Sequence, residues 1–219
     1  MMLDVFSEDV LLAGVGLLGG VLLGLAARIG RFCTLGAIED VYYGESSLRL
    51  RMWGIAIGVA IIGSFGLSAS GLLQLEETLY LSRGWNPMSS ITGGLLFGYG
   101  MALAGNCGYG ALARLGGGDL RSFVIVLVMG VSAYMALGGP FAALRVWLFP
   151  QQDIPLEMPS IAVSLSRLTG LSIEAVGIAA GILVVVATLT HVEFRRSFSH
   201  VFWGFVAGVA VVIGWAGTQ

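Results

Sequence analysis

The 219 residues are 57% hydrophobic and only 11% charged, with a mean hydropathy of +0.91 and a formal net charge of −2. A soluble domain usually carries about a quarter charged residues, so a chain this apolar is excluded from covering its own surface in water. No nucleic-acid partner is expected.

Met1 to Asp9 holds Asp4, Glu8 and Asp9 and no basic residue, which argues against a secretory signal. Six apolar stretches follow: Val10 to Ile29, Met52 to Leu73, Ile91 to Ala104, Phe123 to Leu137, Glu174 to Val192 and Val201 to Ala216. A bilayer core of roughly 30 Å selects helices of about twenty apolar residues. The third stretch is short at fourteen residues unless Met88 joins it, and the fourth is nearly as short. Ser160 to Gly170 reads as a short interfacial helix. The 34 glycines suit this setting, because small residues let helices approach closely in lipid. The predicted fold class is therefore all-α, a polytopic membrane helix bundle.

Orientation follows from arginine, since all eleven basic residues are Arg. Arg28, Arg31, Arg49, Arg51, Arg114, Arg121, Arg195 and Arg196 fall in the odd-numbered connections, against Arg83, Arg145 and Arg167 in the others. The positive-inside rule then places the odd connections in the cytoplasm and the N-terminus outside.

The sequence repeats itself. GVLLGLAARIGRFCTLGA from Gly20 to Ala37 lies over GLLFGYGMALAGNCGYGA from Gly94 to Ala111 at an offset of 74, with no gap. Six identities in eighteen would mean little among glycine-rich stretches, but the chain's two cysteines, Cys33 and Cys107, coincide. The expected organisation is a single membrane domain over 1–219, with repeats at about 10–75 and 84–140 and further helices over 141–219. Each repeat contains two apolar stretches, so both motifs are approached from one membrane side, as parallel repeats.

Gly30 and Gly36 flank Cys33, and Gly105, Gly108 and Gly110 surround Cys107, so helix propensity falls at each thiol. A re-entrant or broken helix is expected there. Broken backbone at membrane depth persists only where protein or a water-filled cavity satisfies it. Such turns converge N–H groups into an anion-attracting nest, and a thiol adds a soft, weakly polar group. The combination suits an anion with sulfur at one end and oxygens at the other. The candidate binding residues are Cys33 and Cys107 for the sulfur, with the backbone N–H groups of Gly36, Gly108 and Gly110 and the Asn106 amide for the oxygens. A lone membrane cysteine is usually a small buried hydrophobe, and duplication inside two glycine-rich breaks is what favours function here.

Other features are read structurally. Arg28 and Arg31 stand near Cys33 but are expected as orientation anchors. Glu39 and Asp40 have no carboxylate counterparts in the second repeat and receive no acid or base role. Trp53, Trp85, Trp147, Trp203 and Trp215 are ascribed mainly to interfacial belts. GGGD at 116–119 lacks the phosphate-loop pattern. His191 and His200 make no recognised ligand spacing with the cysteines, so no metal or cofactor is expected.

GRFCTLGAIED (Gly30 to Asp40) and GYGMALAGNCGYGALARLGGG (Gly98 to Gly118) resemble the two cysteine motifs of the YeeE/YedE family of bacterial sulfur-compound transporters. The likeness covers roughly residues 10–140. It implies an inner-membrane protein, not an enzyme, that takes up thiosulfate, with Cys33 and Cys107 handing the anion along through thiol-to-sulfur hydrogen bonds. Full-length members carry a further C-terminal Gly-Cys motif, and residues 200–219 look like the helix leading into that part. The expectation is a fragment, or a half-transporter completed by a second membrane subunit. A cytoplasmic sulfur-carrier protein is a further partner class, and membrane lipid surrounds the whole. Two other functions remain open: a membrane sulfurtransferase forming a cysteine persulfide, and a non-transporting subunit of a membrane complex.

Overall fold

The computed structural model of the chain describes residues 8–44, 46–74, 86–150 and 161–217. Every regular element among them is an α-helix. In chain order these are α1 (Glu8–Arg28), α2 (Thr34–Tyr42), α3 (Leu48–Ala69), α4 (Pro87–Ala104), α5 (Gly108–Gly116), α6 (Leu120–Leu137), α7 (Ala142–Leu148), α8 (Ile161–Thr169), α9 (Ile173–Leu189), α10 (Val192–Arg196) and α11 (Phe198–Gly217). The six apolar stretches become α1, α3, α4, α6, α9 and α11. Arg83, Trp85, Ser160 and the acidic Asp4 lie outside the described residues.

Among the described residues, four helical segments are long and apolar enough to cross a membrane: Val10–Arg28, Leu48–Ala69, Leu120–Leu137 and Phe198–Gly217. α8 and α9 meet at a 109° bend and together have the composition of a further, broken span. α4 starts at Pro87 and so takes in Met88, reaching eighteen residues, but its four glycines, two serines and threonine dilute its apolar character. The protein is a multi-pass helical membrane protein.

The described residues fall into two compact units. The first comprises those within 1–32, 37–75 and 160–219. Here α3 packs against both α9 and α11, α11 also packs on α1, and α8 packs on α9. Close glycine contacts allow it. A Cβ on Gly58 would stand 3.0 Å from the Gly181 carbonyl oxygen, and one on Gly181 would stand 3.0 Å from that of Gly58. Likewise a Cβ on Gly204 would meet the Met52 oxygen at 2.7 Å, and one on Gly208 the Ala56 oxygen at 2.7 Å. Lipid supplies no hydrophobic drive between helices, so such van der Waals contact holds them together. Met52 and Phe194 are fully buried at this core, and Arg51 ties the end of α9 to α3 by donating to the Thr188 carbonyl at 3.2 Å.

The second unit comprises the described residues within 33–36 and 76–159, in which α5 packs on α6 and α6 on α7. α4 opens with Asn86, whose side-chain oxygen accepts from the Ser89 N–H at 3.2 Å, followed by Pro87 at the first helical position. That pairing is a strong helix start. No residue of α4 is buried, and Leu95, Leu96 and Leu103 are largely exposed.

Candidate functional site

Both cysteines stand where a long helix has stopped and a short one is about to start. After α1 the chain turns through Ile29 to Phe32, and Cys33 directly precedes the nine-residue α2. After α4 it turns through Gly105 and Asn106, and Cys107 is the N-cap of the nine-residue α5. The expected helix breaks are therefore present at both thiols. Each break contains one residue of left-handed backbone, Arg31 at φ 52° and Gly105 at φ 67°. At the offset of 74 these two positions coincide.

The first break is braced from α3. Arg49 donates from Nε and Nη2 to the Arg31 carbonyl oxygen, at 3.2 Å and 3.1 Å, and its Nη1 pairs with the Asp40 carboxylate at 3.2 Å. One planar guanidinium thus joins the turn before Cys33 to α2, using its fixed fork of donors. Asp40 has a structural role, and the Arg28 and Arg31 side chains are exposed. Phe32 is buried and stacks on Trp53 with ring centroids 4.3 Å apart. Trp53 therefore packs against protein, as Trp203 does against Gly30.

The second break builds the thiol site. Cys107 is buried, with extended backbone at φ −86° and ψ 167°, and its sulfur accepts the Gly110 N–H at 3.3 Å. Cysteine takes the part that Ser, Thr, Asp or Asn usually plays at a helix start. Cys33 is half-buried, and both thiols are free. The two converge on Gly110. A methyl group there would lie 3.7 Å from Cys107 Sγ, 3.9 Å from Cys33 Sγ and 3.6 Å from Asn106 Cβ.

The other sequence candidates fall close by. Asn106 is 4% exposed, and its side-chain oxygen has no hydrogen-bond partner. Burying such a group unpaired costs on the order of 1–3 kcal/mol; being an acceptor, that oxygen can take only a donor, and toward an anion Asn106 has its NH2 to offer. Gly108 is the first residue of α5, so its N–H has no acceptor within that helix. Gly36 is buried in the first turn of α2. Gly110 differs from expectation, because its N–H is directed at the Cys107 sulfur.

A cavity of about 580 Å³ adjoins these groups inside the second unit, lined by Met101, Asn106, Gly108, Met129 and Ser132 among mostly apolar side chains. Met129 presses its thioether toward α5, 2.6 Å from where a Gly108 Cβ would be. Sequence reasoning missed Met129, which sits in an apolar run with no motif around it. It also missed the bracing by Arg49, which reads as one more orienting arginine; its place in the first turn of α3, just ahead of the apolar stretch that starts at Met52, is the available signal. Among the described residues no three His, Cys, Asp or Glu side chains gather as a metal-ligand set.

A protein-family model described as sulphur transport matches residues 29–219, most of the chain. The chain belongs to the sulphur transport (YeeE/YedE) family. Among curated members, the thiosulfate transporter TsuA of Escherichia coli is 36% identical over 121 residues, covering 55% of this chain and 33% of that protein. The thiosulfate transporter TsuA of Spirochaeta thermophila is 31% identical over 133 residues, covering 61% of this chain and 39% of that protein. The chain thus matches well under half the length of these sulphur transport relatives.

Proposed function

We propose that this chain carries a small sulfur-bearing anion, thiosulfate first among them, across the bacterial inner membrane with its N-terminus outside. The observation that carries the reading is the convergence of Cys33 and Cys107 on the same space beside Gly110. The curated relatives named as thiosulfate transporters support the choice of substrate.

The mechanism follows from the donors. Gly110 N–H occupies a lone pair of Cys107 Sγ, so the S–H hydrogen is the part of that thiol left to face a substrate. A terminal anionic sulfur accepts this soft hydrogen bond from one thiol and then from the other, with no covalent bond made. The oxygens meet the Asn106 NH2, the first N–H of α5 and the turn at Gly36. All these groups are neutral. An intramembrane cation would be costly and would hold a dianion too firmly for release. The parallel repeat accounts for the matching left-handed residues before each cysteine. The partners we propose are a second membrane subunit that completes the path, or a cytoplasmic sulfur-carrier protein that receives the anion.

The test is uptake of labelled thiosulfate into proteoliposomes, with unlabelled sulfate as competitor. Wild type is expected to take up thiosulfate with weak competition by sulfate, and Cys33→Ala and Cys107→Ala to lose uptake at equal abundance. Undiminished uptake in the double alanine variant would refute the relay, and sulfur covalently attached to either cysteine during turnover would point to persulfide chemistry instead.

A further inference from the structure

Glycine at position 110 has none of the usual structural reasons. Its backbone is not in the left-handed region, unlike Gly71, Gly105, Gly118 and Gly170. It is not a close-packing joint, because an added Cβ would find its three nearest neighbours at 3.6, 3.7 and 3.9 Å, all ordinary contacts. At Gly204 and Gly208, by contrast, a Cβ would collide with helix backbone. Nor does α5 gain from it, since Gly costs a helix roughly 1 kcal/mol relative to Ala. The N–H donated to Cys107 would be supplied equally well by alanine. What glycine provides is empty space, and two of the three atoms nearest to it are the thiol sulfurs.

We propose that Gly110 is a specificity-determining position, whose missing side chain keeps open the gap from which both thiols are reached at once. This rests on the transport reading above. A bare terminal sulfur fits over the Gly110 Cα and touches either thiol. A methyl group at 110 already makes contact with both sulfurs, so a substrate atom can no longer bridge them. The relay is interrupted while the fold is kept.

Three measurements on the full chain in proteoliposomes test this: uptake of labelled thiosulfate, thermal stability, and bridging of the two thiols by dibromobimane, which fluoresces once it has linked a thiol pair. Wild type should transport and be bridged. Gly110→Ala should unfold at the same temperature or higher and be bridged more slowly. Its uptake should fall by at least about tenfold, since displacing a reacting group by about an ångström carries penalties of that order or larger. Gly110→Val should neither transport nor be bridged. Undiminished uptake by Gly110→Ala beside an active wild type overturns the proposal. Absence of thiosulfate uptake in wild type sinks the transport reading instead, and bridging then decides the gap: equal bridging of wild type and Gly110→Ala, or none in wild type, overturns it.

Discussion

Arg31 and Gly105 stand two residues before Cys33 and Cys107 respectively, and both turn the chain through left-handed backbone, at φ 52° and 67°. Only glycine adopts that conformation without penalty, and other L-residues lose roughly 1–2 kcal/mol there. Arg31→Gly is therefore expected to raise stability by up to about 1 kcal/mol with uptake retained, and Gly105→Ala to lower stability by a similar amount. Denaturant unfolding in detergent checks both. Loss of uptake in Arg31→Gly would assign the side chain a part in handling the anion.

Arg49 braces the first break with donors to the Arg31 carbonyl and the Asp40 carboxylate. Hydrogen bonds involving a charged group contribute about 1.5–3 kcal/mol, and partial exposure of the pair reduces this. Arg49→Ala should cost about 1–2 kcal/mol. Arg49→Lys should recover little, because one ammonium cannot reproduce the planar fork. Cys33 should also react faster with maleimide in both variants, and an unchanged rate would show that the brace does not hold the turn.

Cys107→Ser should separate stability from function. A hydroxyl is a better helix cap than a thiol, so unfolding should occur at the same denaturant concentration or higher. Thiosulfate uptake should fall, because a hydroxyl pairs with oxygen in preference to sulfur. Parallel unfolding and uptake curves for this variant decide the point.

The helix joints make a further contrast. In Gly208→Ala the new Cβ would meet the Ala56 oxygen and Val59 Cβ, both at 2.7 Å, and neither atom can swing away. Overpacking of this kind typically costs about 1–3 kcal/mol. Gly98→Ala, with nothing within 4 Å of the new methyl, should be neutral or stabilise by up to about 1 kcal/mol. Equal thermal shifts in the two variants would contradict the packing described for α3 and α11.

Asp119 caps α6, accepting from Ser122 Oγ and from the Arg121 N–H, each at 3.0 Å. The Ser122 hydroxyl first, and then the Arg121 amide, hold its carboxyl below the ordinary aspartate value. A depressed folded-state pKa means that the cap contributes fully above the usual aspartate range of about 4 and is lost as pH falls through the folded value. Melting temperature against pH should therefore drop at the acid end more steeply in wild type than in Asp119→Asn, which keeps a capping oxygen that does not titrate.

Hydropathy made the six principal helices legible, because a bilayer imposes length and apolarity directly. The breaks were legible from glycine, most clearly at Gly105, whose left-handed backbone ends α4. At the first break the same conformation is taken by Arg31, which no propensity rule marks, and it is held by a guanidinium eighteen residues along the chain. α2 and α5 are too short to be stable alone, and their amphipathic runs were submerged in the motifs that precede them. The convergence of Cys33 and Cys107 could be inferred only as an equivalence of position. The gap at Gly110 and the approach of Met129 depend on tertiary contacts between segments far apart in sequence.

The stack of Phe32 on Trp53, at 4.3 Å and 30° between ring planes, also makes the protein its own optical instrument. Phe32 is covalently next to Cys33, so any rearrangement of the thiol's turn slides a phenyl ring across the face of the indole. In a chain with phenylalanine in place of the other four tryptophans, Trp53 emission would follow the motion of that turn in real time, with no label attached to the thiols.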